Sequence, residues 1–446
     1  MPDLRPHDLV IIGGGLAGSE AAWQAASRGL RVVLYEMRPG RRTPAHQTAW
    51  LAELVCSNSL KSASLETAPG LLKEELRGLG SMVLRMAEAA RIPAGSALAV
   101  DRELFARSTS EAILHHPCIT VIREEVRDLP RDILTIIATG PLTSEALTEQ
   151  IRQLSGEGDL YFHDAISPIV DAQTIDYNQA FFASRHGDGE AGDYLNCPLS
   201  KEEYLRFHEA LTQATVVPFH TFEEPHYFEA CLPVEEIARR GVDALAYGPM
   251  RPVGLVDSQG RRDFYAVVQL RREDQMGSAF NLVGFQTKMT YPEQKRVFRL
   301  IPGLQQAEFL RFGSLHRNTY LNSPKLLRDT LQLRGRDDLF FAGQITGVEG
   351  YTESVATGLL AGLNAVRLSQ GADLLVPPPS TALGALVRYI AYATAQPFQP
   401  MNINFGLLPD LPYRVRGKGE RRRQMVQRAL TAAGQWRAEV GALLGG

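Results

Sequence analysis

His7-Asp8-Leu9-Val10-Ile11-Ile12-Gly13-Gly14-Gly15-Leu16-Ala17-Gly18, with its continuation to Glu36, decides the fold. Leu9 to Ile12 is a short β-branched run that reads as a fully buried strand. Gly13, Gly15 and Gly18 then spell G-x-G-x-x-G where the strand must turn into a helix. The first glycine makes the tight turn, the second lets backbone approach a pyrophosphate, and the third lets helix pack close to strand. A helix starting near Leu16 directs its free N–H groups and positive dipole end at that phosphate, so residues Gly13, Gly14, Gly15, Leu16, Ala17 and Gly18 form the candidate phosphate cradle. The helix body, Glu20 to Ser27, is mostly alanine and can lie tight on a sheet. Arg31 to Tyr35 reads as the second strand, and Glu36 stands at its end, 18 residues after Gly18. A carboxylate there accepts from adenosine ribose hydroxyls and repels a 2′-phosphate, so FAD or NAD fits better than NADP.

The same glycine pattern recurs at Gly187-Asp188-Gly189-Glu190-Ala191-Gly192. That copy follows Ser-Arg-His instead of a strand, carries two acids that repel phosphate, and runs into Asp193-Tyr194 instead of a helix. It reads as a surface loop.

A chain of 446 residues calls for two or three domains. Its 44% apolar and 22% charged content supports sizeable cores. A net charge of −3 does not mark a nucleic-acid binder, nor exclude one, because phosphate contacts depend on a local patch. No run of about 18 apolar residues appears, and the N-terminus has no signal-peptide shape. Cys56, Cys118, Cys197 and Cys231 are widely spaced with no C-x-x-C pair, which argues against a zinc site and against a disulfide framework, and no metal is expected. A cytoplasmic protein with free thiols is the expectation.

Along the chain, Leu71 to Ala90 reads as one amphipathic helix, and Val100-Asp101-Arg102 opens another that runs through Leu114. Cys118 opens a buried strand and reads as structural, and Leu134 to Gly140 is a further parallel-type strand ending in glycine. From about Phe162 aromatics and acids mix, and alternating strands appear at Phe264 to Leu270 and Phe280 to Gln286. Near Leu339-Phe340-Phe341-Ala342-Gly343 the strand-to-glycine pattern returns, Gly347 and Gly350 follow, and Ser354 to Leu368 is a small-residue helix. Pro377-Pro378-Pro379 precedes a helical tail. The expected class is therefore α/β: a doubly wound FAD-binding domain of the two-dinucleotide-binding-fold type, holding an inserted α+β domain. The boundaries read as residues 1–160 for the first FAD part, 161–325 for the insert, 326–376 for the second FAD part and 377–446 for the tail. A split layout of this kind favours FAD over NAD as the tightly held cofactor, with Gly343 and Gly350 bringing the second helix N-terminus to the flavin.

Cys56 sits in Cys56-Ser57-Asn58-Ser59, residue types that favour helix caps and turns. A thiol at a helix N-terminus is activated; the alternative is a small buried hydrophobe. Three stretches carry a resemblance: Gly13 to Ala22, Cys56 to Ser59, and Ala342-Gly343-Gln344-Ile345-Thr346-Gly347-Val348-Glu349-Gly350-Tyr351. With them go Phe228 to Glu235, Gly248 to Leu255 and His316 to Pro324. Together these segments resemble the folate- and FAD-dependent tRNA (uracil-5)-methyltransferase family, TrmFO, across nearly the whole chain.

The resemblance implies transfer of a one-carbon unit from 5,10-methylenetetrahydrofolate to C5 of the T-loop uridine of tRNA, with FAD recharged by NAD(P)H. It further implies Cys231 as the nucleophile and Cys56 as a second essential thiol, base or flavin partner, with the division of labour left open. His316 can stack on a pterin and Arg317 can hold a glutamate-tail carboxylate, or the pair serves a cap and loop network. Lys288 meets phosphate or folate, or is simply solvated. Arg414, Arg416, Lys418, Arg421, Arg422 and Arg423 place six basic residues in ten, an RNA-contact candidate or a solvated helix face; Arg271-Arg272 and Arg239-Arg240 are lesser candidates. Rival readings are the related flavoprotein that modifies the tRNA wobble uridine, a small-molecule FAD oxidoreductase, and a non-catalytic RNA-binding flavoprotein. Oligomeric state is not legible.

Overall fold

In the computed structural model, residues 7–156, 160–185, 192–218, 232–395 and 397–444 are described. The first sheet has six strands in the order Gln332–Leu333, Arg336–Phe341, Thr135–Ile137, Leu9–Ile12, Val32–Tyr35, Ile119–Ile122. Its inner pairings are parallel: Leu9 lies opposite Val32, Val10 opposite Thr135, and Leu339 opposite Thr135. Only the Gln332–Leu333 edge strand runs antiparallel. This is the expected α/β class. Strands buried on both faces need continuous apolar runs, which Leu-Val-Ile-Ile and Val-Val-Leu-Tyr supply.

Two helices cover one face of this sheet, Leu16–Ala26 and Tyr351–Ser369, and small residues set their spacing. A Cβ on Gly358 would fall 2.3 Å from the Ala17 carbonyl oxygen, and one on Gly362 would fall 2.7 Å from that of Ala21. Any larger side chain would force these helices apart, and with them the two glycine turns that they follow.

The long helix expected from Leu71 to Ala90 is two, Ala68–Gly78 and Met82–Ala89. Gly80, at φ +75°, breaks it, and Ser81 starts the second helix by accepting the Leu84 N–H at 3.2 Å. Glu20, fully buried, reaches across to accept from Ser81 Oγ and Val83 N at 2.8 Å each.

The second sheet is antiparallel throughout, in the order Phe181–Ala183, Tyr194–Leu199, Ala266–Arg272, Ala279–Leu282, Ile169–Asp171, Phe309–Arg311. The strand expected to reach Gln286 stops at Leu282, because the chain turns at Gly284 with φ +79°. Its core, around Phe207, Phe280, Phe285 and Phe298, is separate from the core beneath the first sheet. Cys197 is buried in it, and burial pushes its thiol up to about 12, which makes it inert. A two-stranded ribbon, Leu160–Ala165 with Leu315–Tyr320, links the two units.

The tail ends in the helix Lys418–Leu444. Met425, Val426, Ala429, Trp436 and Val440 recur at helical spacing and are buried against the first core. No described helix is long and apolar enough to cross a membrane.

Candidate functional site

The phosphate loop takes its shape from backbone crowding. Gly13 has φ +105°, and a Cβ there would fall 2.5 Å from the Ala138 carbonyl oxygen; one on Gly18 would fall 1.8 Å from that of Gly13. Gly15 is the opposite case: a Cβ would meet no atom within 4 Å. The middle glycine therefore borders open space, the place where a pyrophosphate must approach.

Glu36 stands where expected, and its carboxylate already has protein partners. Oε1 accepts from the backbone N–H and Nε–H of Arg38 at 3.0 and 2.9 Å. Oε2 accepts from Arg38 Nη2 and from Gly14 N, both at 3.1 Å. Burial pushes the Glu36 carboxyl up, but hydrogen bonds and charge from Arg38 more than offset it and hold it below the usual range. Gly13, Gly15, Glu36 and Thr139 line a cavity of about 80 Å³. It shares Thr43 and Leu142 with an open groove of about 500 Å³, which in turn shares Leu142 and Pro141 with a third cavity of about 300 Å³. The three are neighbours along this side of the molecule.

Gly343, Gly347 and Gly350 all have positive φ, at +82°, +82° and +123°. Gly343 packs against Ala17, where a Cβ would fall 2.9 Å from that side chain, so the second glycine turn touches the first. Gly350 caps the helix Tyr351–Ser369 and lines the third cavity. The chain thus supplies an elongated cradle whose two ends are helix N-termini, a fit for a dinucleotide such as FAD.

That third cavity also contains Cys56, Lys61, Arg271, Gln286, His316 and Tyr351. No helix begins after Cys56; the chain enters the strand Ser59–Ser62, so activation by a helix terminus does not apply. The thiol is held from outside its own segment. The Tyr351 phenol oxygen accepts the backbone N–H of Cys56 at 2.9 Å and of Ser57 at 3.1 Å. Burial, then the proximity of Cys56, raises the Tyr351 hydroxyl, so it stays a neutral phenol. Arg102 and Arg311 lie close enough to Cys56 to interact with it electrostatically.

His316 lies on the strand Leu315–Tyr320, not in a helix cap, and its Nε2 is 2.9 Å from Ser314 Oγ. Burial and the charge of Arg311 push it down to about 4, so it is a flat neutral ring at physiological pH. Arg317 is next on the strand; its side chain lies outside the described residues. Cys231 lies outside them too, as does the second glycine pattern up to Ala191. Three residues after Cys231, Val234 donates its N–H to Gln286 O at 2.7 Å, and Gln286 lines the Cys56 cavity.

Two basic candidates are corrected. Lys288 is buried and paired with Glu236 at 2.7 Å, so it is neither a solvated lysine nor a phosphate contact. Arg271 is only 6% exposed and bonds inward, so it cannot form an RNA surface. Arg239 is ion-paired with Glu236 at 2.9 Å.

The C-terminal cluster is exposed, yet partly neutralised. Arg421 pairs with Asp410, Arg423 pairs with Glu420 at 2.6 Å, and Arg422 lies 5.5 Å over the Phe405 ring. Arg414, Arg416 and Lys418 are exposed and make no ion pair among the described residues. Among those residues no group of three His, Cys, Asp or Glu side chains is placed to hold a metal ion.

Tyr351 and Lys61 escaped sequence reasoning as site residues, and Arg271 was assigned to the wrong role. Their partners lie roughly 200 to 300 positions away in the chain, beyond any local pattern. Only the adjacency of Tyr351 to Gly350 hinted at its place.

The family model described as glucose inhibited division protein A matches residues 8–373. A Moorella thermoacetica protein named methylenetetrahydrofolate–tRNA-(uracil-5-)-methyltransferase TrmFO is 58% identical over 422 residues, 95% of this chain and 96% of that one. The Geobacter sulfurreducens protein of that name is 57% identical over 432 residues, 97% and 99% of the two chains. The Enterococcus faecalis one is 53% identical over 427 residues, 96% and 98%. Among solved structures, Aquifex aeolicus GidA superposes with a TM-score of 0.70 at 16% identity, over 99% of this chain and 78% of that one. At that identity the likeness shows the fold alone.

Proposed function

The chain belongs to the TrmFO family, within the group matched by the glucose inhibited division protein A model, and from that premise we propose how its residues divide the chemistry. The protein is a methylenetetrahydrofolate–tRNA-(uracil-5-)-methyltransferase. It acts on the T-loop uridine, takes the carbon from 5,10-methylenetetrahydrofolate, and draws electrons from NAD(P)H, in the cytoplasm. When bound and reduced, FAD supplies the electrons that convert the transferred methylene to a methyl group.

The observation that carries the reading is the convergence of Cys56, His316 and the Gly350 helix terminus on one cavity that shares Leu142 with the phosphate-loop cavity. Residues Gly13 to Gly18 and Glu36 would hold the adenosine diphosphate end of FAD, and Gly343 and Gly350 would border its ring end. Uracil C5 is a poor nucleophile until a thiolate adds at C6 and generates an enolate, and Cys231 takes that role. Once C5 carries the new carbon, its proton must leave to a base, and Cys56 serves as that base or as the thiol facing the flavin. Neutral His316 can stack a pterin without competing for a proton, and Arg317 answers its glutamate tail. The base must leave its stack to reach this cavity. Arg414, Arg416 and Lys418, with Arg421, Arg422 and Arg423 beside them, contact tRNA phosphates. Residues 161–325 form the substrate-facing insert, 1–160 and 326–376 the FAD unit, and 377–446 the tail; the two separate hydrophobic cores support the distinction between insert and FAD unit, while the tail packs on the core of the FAD unit.

The test mixes purified protein, NADH or NADPH, methylenetetrahydrofolate and an unmodified tRNA transcript. Mass spectrometry should find 5-methyluridine in the T-loop, absent when S-adenosylmethionine replaces the folate. Yellow protein that oxidises the nicotinamide yet yields no methyluridine would point to another flavoenzyme chemistry.

A further inference from the structure

Arg271 is a buried cation that the mechanism above does not use. It sits on the strand Ala266–Arg272 of the second sheet, yet its guanidinium crosses to the Cys56 segment. Nε–H donates to Asn58 Oδ1 and Nη2–H donates to Ser57 Oγ, both at 2.7 Å. Asn58 is itself fully buried and can point only one way. Its amide nitrogen donates to the Val100 and Arg272 carbonyls at 3.0 and 2.8 Å, so its oxygen must accept. Next door, Arg102 donates to Glu273 at 2.8 Å and to the Leu54 carbonyl. The segment from Leu54 to Asn58 is thus stitched to Arg271, Arg272 and Glu273 on both sides of the thiol.

Burying a guanidinium is costly, and burial pulls Arg271 below its usual range even though the Glu273 carboxylate nearby favours the charge. A strand position needed only for packing is served better by an apolar side chain. We propose that Arg271 is a positioning residue for Cys56: through Ser57 and Asn58 it sets where the thiol stands relative to the second sheet. Beyond that sheet the chain reaches Gln286, which lines the same cavity and accepts the Val234 N–H, so Arg271 ties the Cys56 segment to the unit that forms the cavity's other wall. This assignment rests on the methyltransferase reading for its activity arm only.

Arg271→Met keeps the apolar stem and removes both bonds. A displacement of about 1 Å at a reacting group costs about 100-fold, so kcat should fall by roughly that factor with KM for tRNA and flavin content within twofold. Arg271→Lys reaches one acceptor and should recover about tenfold of the loss. Ser57→Ala should cost about tenfold alone but less than twofold when added to Arg271→Met, because residues acting as one unit are not additive. Independently of tRNA, iodoacetamide labelling of Cys56 in the resting holoenzyme should speed up about tenfold in Arg271→Met as the segment loosens, with Cys118 as internal reference. A kcat within threefold of wild type, multiplying costs, or an unchanged labelling rate at equal flavin content would overturn the assignment. If wild type itself makes no methyluridine, the activity reading fails and the labelling rate alone decides the role of Arg271.

Discussion

The phosphate loop and the Cys56 loop are built on opposite plans. The first is a run of twelve residues whose shape follows from local crowding: Gly18 meets Gly13, and Gly13 meets the next strand at Ala138. The second has almost no regular structure of its own. It is held by Tyr351 from one helix terminus, by Arg271 from another sheet, and by Arg102 from the start of a third element. A loop fixed by backbone sterics tolerates no added atom but needs no partner. A loop fixed by side chains can be released without disturbing the fold, and its chemistry can be lost while the cofactor stays.

The largest expected effect breaks the first plan. Gly18→Val places a Cβ 1.8 Å from the Gly13 oxygen, so flavin absorbance relative to protein should drop to near zero and the unfolding temperature should fall. Retained flavin would mean that the turn relaxes and the steric account is wrong. Next come the thiols. Cys231→Ala and Cys56→Ala should each lower methylation by at least about 10³-fold while flavin content is unchanged, which is what the proposed roles of enolate-forming nucleophile and second thiol require. Survival of activity in either variant removes that cysteine from the mechanism.

Tyr351→Phe sharpens the contrast. It deletes the oxygen that accepts the Cys56 and Ser57 N–H groups, and two half-buried donors that lose their acceptor cost about 1 kcal/mol each. About tenfold or greater loss in kcat is expected with flavin retained; equal loss of flavin would show that Tyr351 supports the fold instead.

His316 carries a pH signature. It is pushed down to about 4 in the fold, against 6.5 in the free residue, so between those values the unfolded chain binds more protons. Stability from this group is therefore full above about pH 6.5 and is lost as pH falls towards 4, by up to about 3 kcal/mol. Thermal unfolding of His316→Asn should be flatter over that window, and a curve parallel to wild type would exclude His316 as its source. The smallest effect is Arg414→Ala, which should weaken tRNA binding a few-fold and reduce the salt slope by about one phosphate contact. Equal salt slopes would move the RNA surface elsewhere.

Much of the fold was legible from residue order alone. Strand, glycines, alanine helix, second strand and Glu36 follow one another within about thirty residues, where local sterics and the dipole of one helix dictate the outcome. The return of the pattern at Gly343 and Gly350 was equally readable, and the two glycine turns do meet, at Ala17. Local reading failed where a neighbour outside the window intervened. Ser57 and Asn58 looked like helix caps, but their polar groups are consumed by Arg271, some 213 positions on, and no helix starts. Arg271 and Lys288 looked like surface cations, but folding buried both. The sequence by itself determined the dinucleotide fold, because steric exclusion at glycines acts between residues that are neighbours in the chain. The tertiary structure alone decided what surrounds Cys56, because hydrogen bonds and charges there join groups that only folding brings within 3 Å of one another.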